Sequence, residues 1–190
     1  MNAMKRRRWM VIIPMLIVLL GIFILSSQSY GQQTIHPWLT TEHMEQRLIR
    51  LLRHIRFMYD GQEISVRSMG GSNVAEFMVR KLAHLFLYGC LSFTMLMSAW
   101  VLLPWRKSAS IGATLGLSLL LALADEFNQQ FYAERTARLA DVGIDLVGAV
   151  LGAIAFLIGY LLYVQRRERL ELKAHRRQRM LRMFYGEGER

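Results

Sequence analysis

Four stretches of the chain are apolar for far longer than a soluble core helix requires: Trp9 to Leu25, Leu82 to Leu103, Ser108 to Ala124 and Leu146 to Val164. A helix rises 1.5 Å per residue, and a hydrocarbon core of roughly 30 Å needs about 20 residues to cross it. The second and fourth stretches meet that length outright. The first and third reach it once flanking Ser, Thr and interfacial aromatic residues are included, which gives spans at about 9–27, 82–103, 108–127 and 145–164. A signal peptide is the rival reading of the first stretch, because Lys5, Arg6, Arg7 and Arg8 precede it, but no A-x-A-like cleavage site follows Ser26 and Ser27.

Between the first two spans the period changes. From Thr41 to Tyr59, Met44, Leu48, Leu51, Leu52, Ile55 and Met58 recur at three- and four-residue spacing, with Arg47, Arg50, Arg53 and Arg56 between them. This predicts an amphipathic helix, either lying on the membrane surface or across the bundle mouth, or packed against its own loop. Tyr59-Asp60-Gly61-Gln62 reads as a turn, and Gly70-Gly71-Ser72-Asn73 as the cap of the helix that becomes the second span. The fold class is therefore all-α: an integral membrane bundle of four transmembrane helices, with an extra amphipathic helix in the first extracytoplasmic loop. Residues 1–164 form the membrane domain. Residues 165–190 form a basic tail that continues the fourth helix, where its Arg residues either hold anionic headgroups or only fix topology.

Composition narrows the class further. The 190 residues are 53% hydrophobic and 20% charged, with 24 Lys and Arg against 14 Asp and Glu and a net charge of +10. A disordered chain is excluded by the hydrophobicity, and a nucleic-acid-binding domain is not normally this apolar. A single cysteine, Cys90, supports neither an internal disulfide nor a thiolate metal site. Threaded through four spans, fifteen of the basic residues and only four acidic ones fall on the side of the termini, leaving nine basic and ten acidic residues on the other. The positive-inside rule then places both termini in the cytoplasm.

With that orientation, the polar residues at the span ends gather at one level. Ser26, Ser27 and Gln28 close the first span at the outer surface; Arg80, Lys81, His84 and Tyr88 open the second there; Asp125, Glu126 and Gln129 close the third. Glu134, Arg135, Arg138, Asp141 and Asp145 occupy the hairpin and the start of the fourth. His84 and Tyr88, Asp125 and Gln129, and Asp141 and Asp145 are each four residues apart and share a helix face. An intramembrane charge costs about 2.5–3.5 kcal/mol on insertion scales, so these groups should turn inward and pair: Arg135 or Arg138 with Asp125, Glu126 or Asp145, and His84 with a carboxylate. Gly112 and Gly116, and Gly148 and Gly152, form small-x-x-x-small pairs that allow close helix approach.

A histidine among carboxylates can bind a divalent cation or act as acid and base around a phosphate, and arginines recognise phosphate or carboxylate. Spacing assigns no metal ligands and no cofactor. There is no Ser-His-Asp arrangement, no phosphate-cradling Gly loop and no His-Cys zinc spacing. Four spans without paired repeats also do not resemble a larger transporter. Were the site catalytic, His84, Asp125 and Glu126 would be its centre. Its level in the bilayer points to membrane lipids or lipid-linked compounds rather than nucleic acid.

The runs RKLAHLFLYGCLSF (Arg80 to Phe93) and DEFNQQFYAERTARLADVGIDLVGAVLG (Asp125 to Gly152), with ILSSQS ending the first span, resemble the VanZ-like membrane protein family. The family pattern falls on Ser27, Gln28, Lys81, His84, Tyr88, Asp125, Glu126, Gln129, Arg138, Asp141 and Gly148. Where many members have a Pro-Gly-Arg turn this chain has Ala133-Glu134-Arg135, so Arg135 or Arg138 fills the family's arginine position. An Asn often found before the family's Gly is replaced over Asp145 to Val147. The resemblance implies an envelope membrane protein linked to resistance against teicoplanin-type glycopeptides, with a lipid-linked cell-wall precursor or a lipoglycopeptide as partner. No reaction is assigned to the family. A membrane-embedded enzyme acting on a lipid phosphate or headgroup, and a structural partner of another membrane protein, remain the alternatives.

Overall fold

The computed structural model describes residues 3–27, 41–103, 106–129 and 138–185, with side chains described for those between 8 and 181. Its helices are α1 (Ala3–Ser26), α2 (Glu42–Leu52), the single turn α3 (Val66–Met69), α4 (Gly71–Leu102), α5 (Lys107–Gln129) and α6 (Leu139–Tyr185), with a hairpin of β1 (Arg56–Tyr59) and β2 (Gln62–Ser65) between α2 and α3. Four of the helices, α1, α4, α5 and α6, are long and apolar enough to cross a membrane. By contacts the chain divides into two compact units, Met1–Ala153 and Ile154–Arg190. The second unit is the later part of α6, an exposed helix on which Arg167 pairs with Glu171 one turn away at 3.1 Å.

In the first unit α4 is the central element, with α1, α2 and α5 packed on it. Its inner side buries Tyr88 and Leu91 against Ile22 of α1, Ala122 of α5 and Val142 of α6. At the other end of this contact the Ser98 hydroxyl donates to the Val11 carbonyl at 2.8 Å, binding α1 to α4 through a backbone acceptor. Other span hydroxyls turn back on their own helix, as Thr94 does to the Cys90 carbonyl at 2.8 Å and Ser110 to the Arg106 carbonyl at 2.7 Å. Such local bonds meet a hydroxyl's needs without a charge.

The crossing of α4 and α6 depends on glycine. A Cβ on Gly148 would overlap the Leu85 carbonyl, one on Gly152 would overlap the Gly89 carbonyl, and one on Gly89 would stand 3.2 Å from the Gly148 carbonyl oxygen. Gly112 and Gly116 on α5 behave differently from their expected role, since nothing lies within 4 Å of a Cβ at either position. Of the two small-x-x-x-small pairs, the one on α6 makes the close approach within the described chain.

The segment between the first two spans is more structured than a surface helix. The helix expected over Thr41–Tyr59 stops at Leu52, and Arg56–Tyr59 is instead a strand paired antiparallel to Gln62–Ser65, with Tyr59 opposite Gln62. The reason is the two-residue turn: Asp60 and Gly61 both have positive φ, 49° and 75°, the conformation that matches strand twist and that Asp-Gly accepts readily. Ile64 on β2 is then buried with Leu52 of α2 and Val74 of α4, flanked by Leu48, Ile55 and Tyr59. Of the two settings open for the amphipathic helix, it takes packing against its own loop and the start of α4.

Two devices set the entry into α4. Ser65 and Ser68 form a reciprocal capping box at the start of α3, each side chain bonding the other's backbone N–H at 3.2 Å. Gly70, with φ 85°, then turns the chain into α4 as the glycine run predicted. The first N–H groups of α4 are met from α2: Glu45 accepts from Gly71 N–H at 2.7 Å, from Ser72 N–H at 3.0 Å, and from the Ser72 hydroxyl. A carboxylate on exposed N–H groups at a helix start is favoured by hydrogen bonding and by the helix dipole.

Candidate functional site

The N-terminal half of α4, the end of α5 and the beginning of α6 bring most of the predicted polar residues together. Because Gly148 lets α6 touch α4 at Leu85, Asp145, one turn earlier on α6, comes beside His84, with Nδ1 to Oδ1 at 3.3 Å. Asp125 of α5 completes the group: one ligand atom from each of His84, Asp125 and Asp145 lies within 4.8 Å of the others. Asp125 is itself held by Gln129, whose Nε2 donates to its Oδ2 at 3.1 Å. Tyr88, one turn along α4 from His84, is 1% exposed and within the field of Asp125, Asp145 and Glu126. Its hydroxyl has no hydrogen-bond partner among the described residues.

A second layer sits toward the hairpin. Lys81 donates to Asp141 in the first turn of α6, and Tyr59 from β1 donates to the same carboxylate oxygen. The Lys81 ammonium also lies 5.2 Å from the Tyr59 ring centre and 5.3 Å from that of Phe77, and the two rings meet edge-on at 5.1 Å. Cation and aromatic faces attract through the ring quadrupole. Burial, reinforced by the bond to Asp141, pushes the Tyr59 hydroxyl far above the ordinary phenol range, so it stays a donor.

Arg138 just precedes α6. Its backbone N–H donates to Glu126 Oε1, its Nε lies 3.3 Å from Asp60 Oδ2, and its terminal nitrogen reaches Gln62 Oε1 at 3.5 Å. Of the carboxylates expected for Arg135 or Arg138, which were Asp125, Glu126 and Asp145, Arg138 thus meets Glu126 through its backbone, while its side chain reaches the hairpin turn. Glu126, 5% exposed, joins the end of α5 to the start of α6 by bonding an N–H that the helix leaves free.

The structure thus unites Lys81, His84, Tyr88, Asp125, Glu126, Gln129, Arg138, Asp141 and Asp145. Ser27 follows the last residue of α1, with its hydroxyl buried and without a hydrogen-bond partner among the described residues. Gln28 and Arg135 lie outside the described residues. Tyr59, Asp60 and Gln62 are additional members that periodicity did not indicate. The signal for them was the Asp-Gly dipeptide between Phe57-Met58-Tyr59 and Gln62-Glu63-Ile64, a hairpin pattern.

Four apolar helices around a polar cluster drawn from three of them and roofed by a hairpin define a multi-pass helical membrane protein. A model of the VanZ/LLP1 family matches residues 11–163, and the chain belongs to that family. The matched region includes every residue of the cluster as well as the hairpin. No curated protein and no solved structure matches the chain.

Proposed function

We propose that this protein acts in the cell envelope, with the cluster on the extracytoplasmic side and both termini in the cytoplasm, and that the cluster recognises the polar head of a lipid or lipid-linked compound. The observation that carries this is the layer formed by Lys81, Asp141, Tyr59 and Arg138, where both charge signs and an aromatic wall stand together at the end of a bundle. Cations and carboxylates at one level suit a head that carries both donors and acceptors, and the apolar helices below suit its acyl chains. Family membership points the same way, toward lipid-tailed glycopeptides of the teicoplanin type or the lipid-linked cell-wall precursors they bind. On this view residues 1–164 form the functional membrane domain, and the basic tail from 165 fixes topology on anionic lipid.

The test is expression in a glycopeptide-sensitive bacterium lacking the gene. Wild type should lower sensitivity to a lipid-tailed glycopeptide, and His84→Ala, Asp125→Asn and Arg138→Ala should abolish the effect at equal membrane abundance. Unchanged protection in all three variants would remove the proposal. A tag at the C-terminus that is reached from outside intact cells would overturn the orientation.

A second activity, a membrane-embedded enzyme acting on a lipid phosphate or headgroup, is favoured by one observation: the almost fully buried Asp145 stands beside His84, and a carboxylate and an imidazole at one site can serve as acid and base. It predicts release of phosphate or headgroup by purified protein from a panel of membrane lipids.

A further inference from the structure

We propose that His84, Asp125 and Asp145 form a binding site for one divalent transition-metal ion, of the Mn²⁺ or Zn²⁺ type. Three helices each contribute one donor, and the donor atoms lie within 4.8 Å of one another. Bonds of about 2.0–2.2 Å to nitrogen and carboxylate oxygen put neighbouring donors about 3.0–3.5 Å apart. The His84 Nδ1 to Asp145 Oδ1 edge, 3.3 Å, already has that spacing. Asp125 is half-buried, and with donors up to 4.8 Å apart closing the third side asks for a small side-chain movement. Gln129 holds its Oδ2, as an outer partner holds a metal-ligating carboxylate.

The independent observation is an oxygen that lacks what it needs. Asp145 is 1% exposed, and its Oδ1 accepts no hydrogen bond from a well-aligned donor; the one charged group against it is the His84 ring at 3.3 Å, which pairs with it only when protonated. A buried carboxylate oxygen without a donor is costly and uncommon, and a cation resolves it. The charge count agrees. Among the described residues of the cluster, Asp60, Asp125, Glu126, Asp141 and Asp145 face two permanent cations, Lys81 and Arg138, which lie against Asp141 and Asp60 respectively. The carboxylates of Asp125 and Asp145 are the part of this excess that the His84 ring adjoins, and a 2+ ion offsets both.

The donor set selects the kind of ion. One imidazole nitrogen with two carboxylate oxygens is a mixed set, harder than thiolate sites and softer than the all-oxygen sites of Mg²⁺ and Ca²⁺. Three protein donors leave at least one coordination position for water or another oxygen ligand.

The experiment uses the full chain, purified in detergent with a tag free of histidine, stripped with a chelator and equilibrated with Mn²⁺ or Zn²⁺ in a competing buffer. Elemental analysis should find about one ion per chain, and the ion should raise the thermal unfolding midpoint. His84→Ala and Asp145→Asn should weaken uptake at least tenfold and abolish the thermal shift, while Glu63→Gln, on the exposed hairpin, keeps both. If the buried Asp145→Asn variant does not fold, Asp125→Asn serves in its place. Bound Mn²⁺ should show coupling to a ring nitrogen in pulsed electron resonance, and lose it in His84→Ala. Uptake well below one ion in the wild type, or unaltered uptake in the folded variants, would overturn the site. Metal is scored here with no lipid or antibiotic present, so its failure is separate from failure of headgroup recognition.

Discussion

Gly152 of α6 lies so close to Gly89 of α4 that a Cβ on Gly152 would overlap the Gly89 carbonyl oxygen. The obstructing atoms are backbone, which cannot swing aside as a side chain can. Gly152→Ala and Gly148→Ala should therefore destabilise the bundle by about 1–3 kcal/mol or more, in the range of overpacked cores. Gly112→Ala, with nothing within 4 Å, should be neutral or stabilise by up to about 1 kcal/mol through helix propensity. Denaturation of the three variants in one detergent checks the order, and a Gly152→Ala protein as stable as Gly112→Ala would contradict the close crossing.

Lys81 and Asp141 are both partly buried, with 23% and 15% of their side chains exposed, so losing one strands the other. Lys81→Ala and Asp141→Asn should interact, with a coupling of about 0.5–3 kcal/mol in a double-mutant cycle. Additive losses would show that the pair contributes little beyond its separate contacts.

Glu45 spans 26 residues to reach the first N–H of α4. Glu45→Ala should cost about 1–2 kcal/mol, the scale of a lost helix cap. It should also speed hydrogen exchange of the Gly71 and Ser72 amides in particular. Protection unchanged at those two amides would show that another group meets them.

The hairpin carries an acid-sensitive contact. The Ser65 hydroxyl, helped by Arg56, holds the Glu63 carboxyl below its ordinary 4.5. A lowered folded value means that the contact contributes fully above the ordinary carboxylate range and loses its contribution as pH falls through the folded value. Hairpin protection should thus decline on acidification below about pH 4.5, and Glu63→Gln should flatten that part of the profile. An identical acid profile for the variant would assign the decline to other groups.

The four spans were legible because length and apolarity are local properties: Leu82 to Leu103 announces itself whatever surrounds it. So was most of the cluster, since a charged residue within a span has few places to go except inward. What escaped was pairing across the sequence. Tyr59 meets Asp141 over 82 positions and Arg138 meets Gln62 over 76, distances at which no helical or strand period carries information. Arg135 or Arg138 was expected on Asp125, Glu126 or Asp145; Arg138 meets Glu126 through its backbone N–H, and the hairpin brings Asp60 to its side chain. The strand itself was hidden because Ile55 and Met58 continue the spacing of Leu48, Leu51 and Leu52, and a period cannot show where a positive-φ turn will interrupt it. Glu126 shows the opposite case: its place was foreseen, but not that one of its oxygens would be used to start the next helix.

The Asp60-Gly61 turn has a practical side. A tight, solvent-facing Asp-Gly turn is where an epitope or a protease site is usually grafted to map which side of a membrane a loop faces. Here the first of those two residues is also the contact of Arg138, and the strand before it delivers Tyr59 to Asp141. A graft at this turn would report topology while altering the site it was meant to leave alone. The exposed later part of α6 is the safer place for such a reporter.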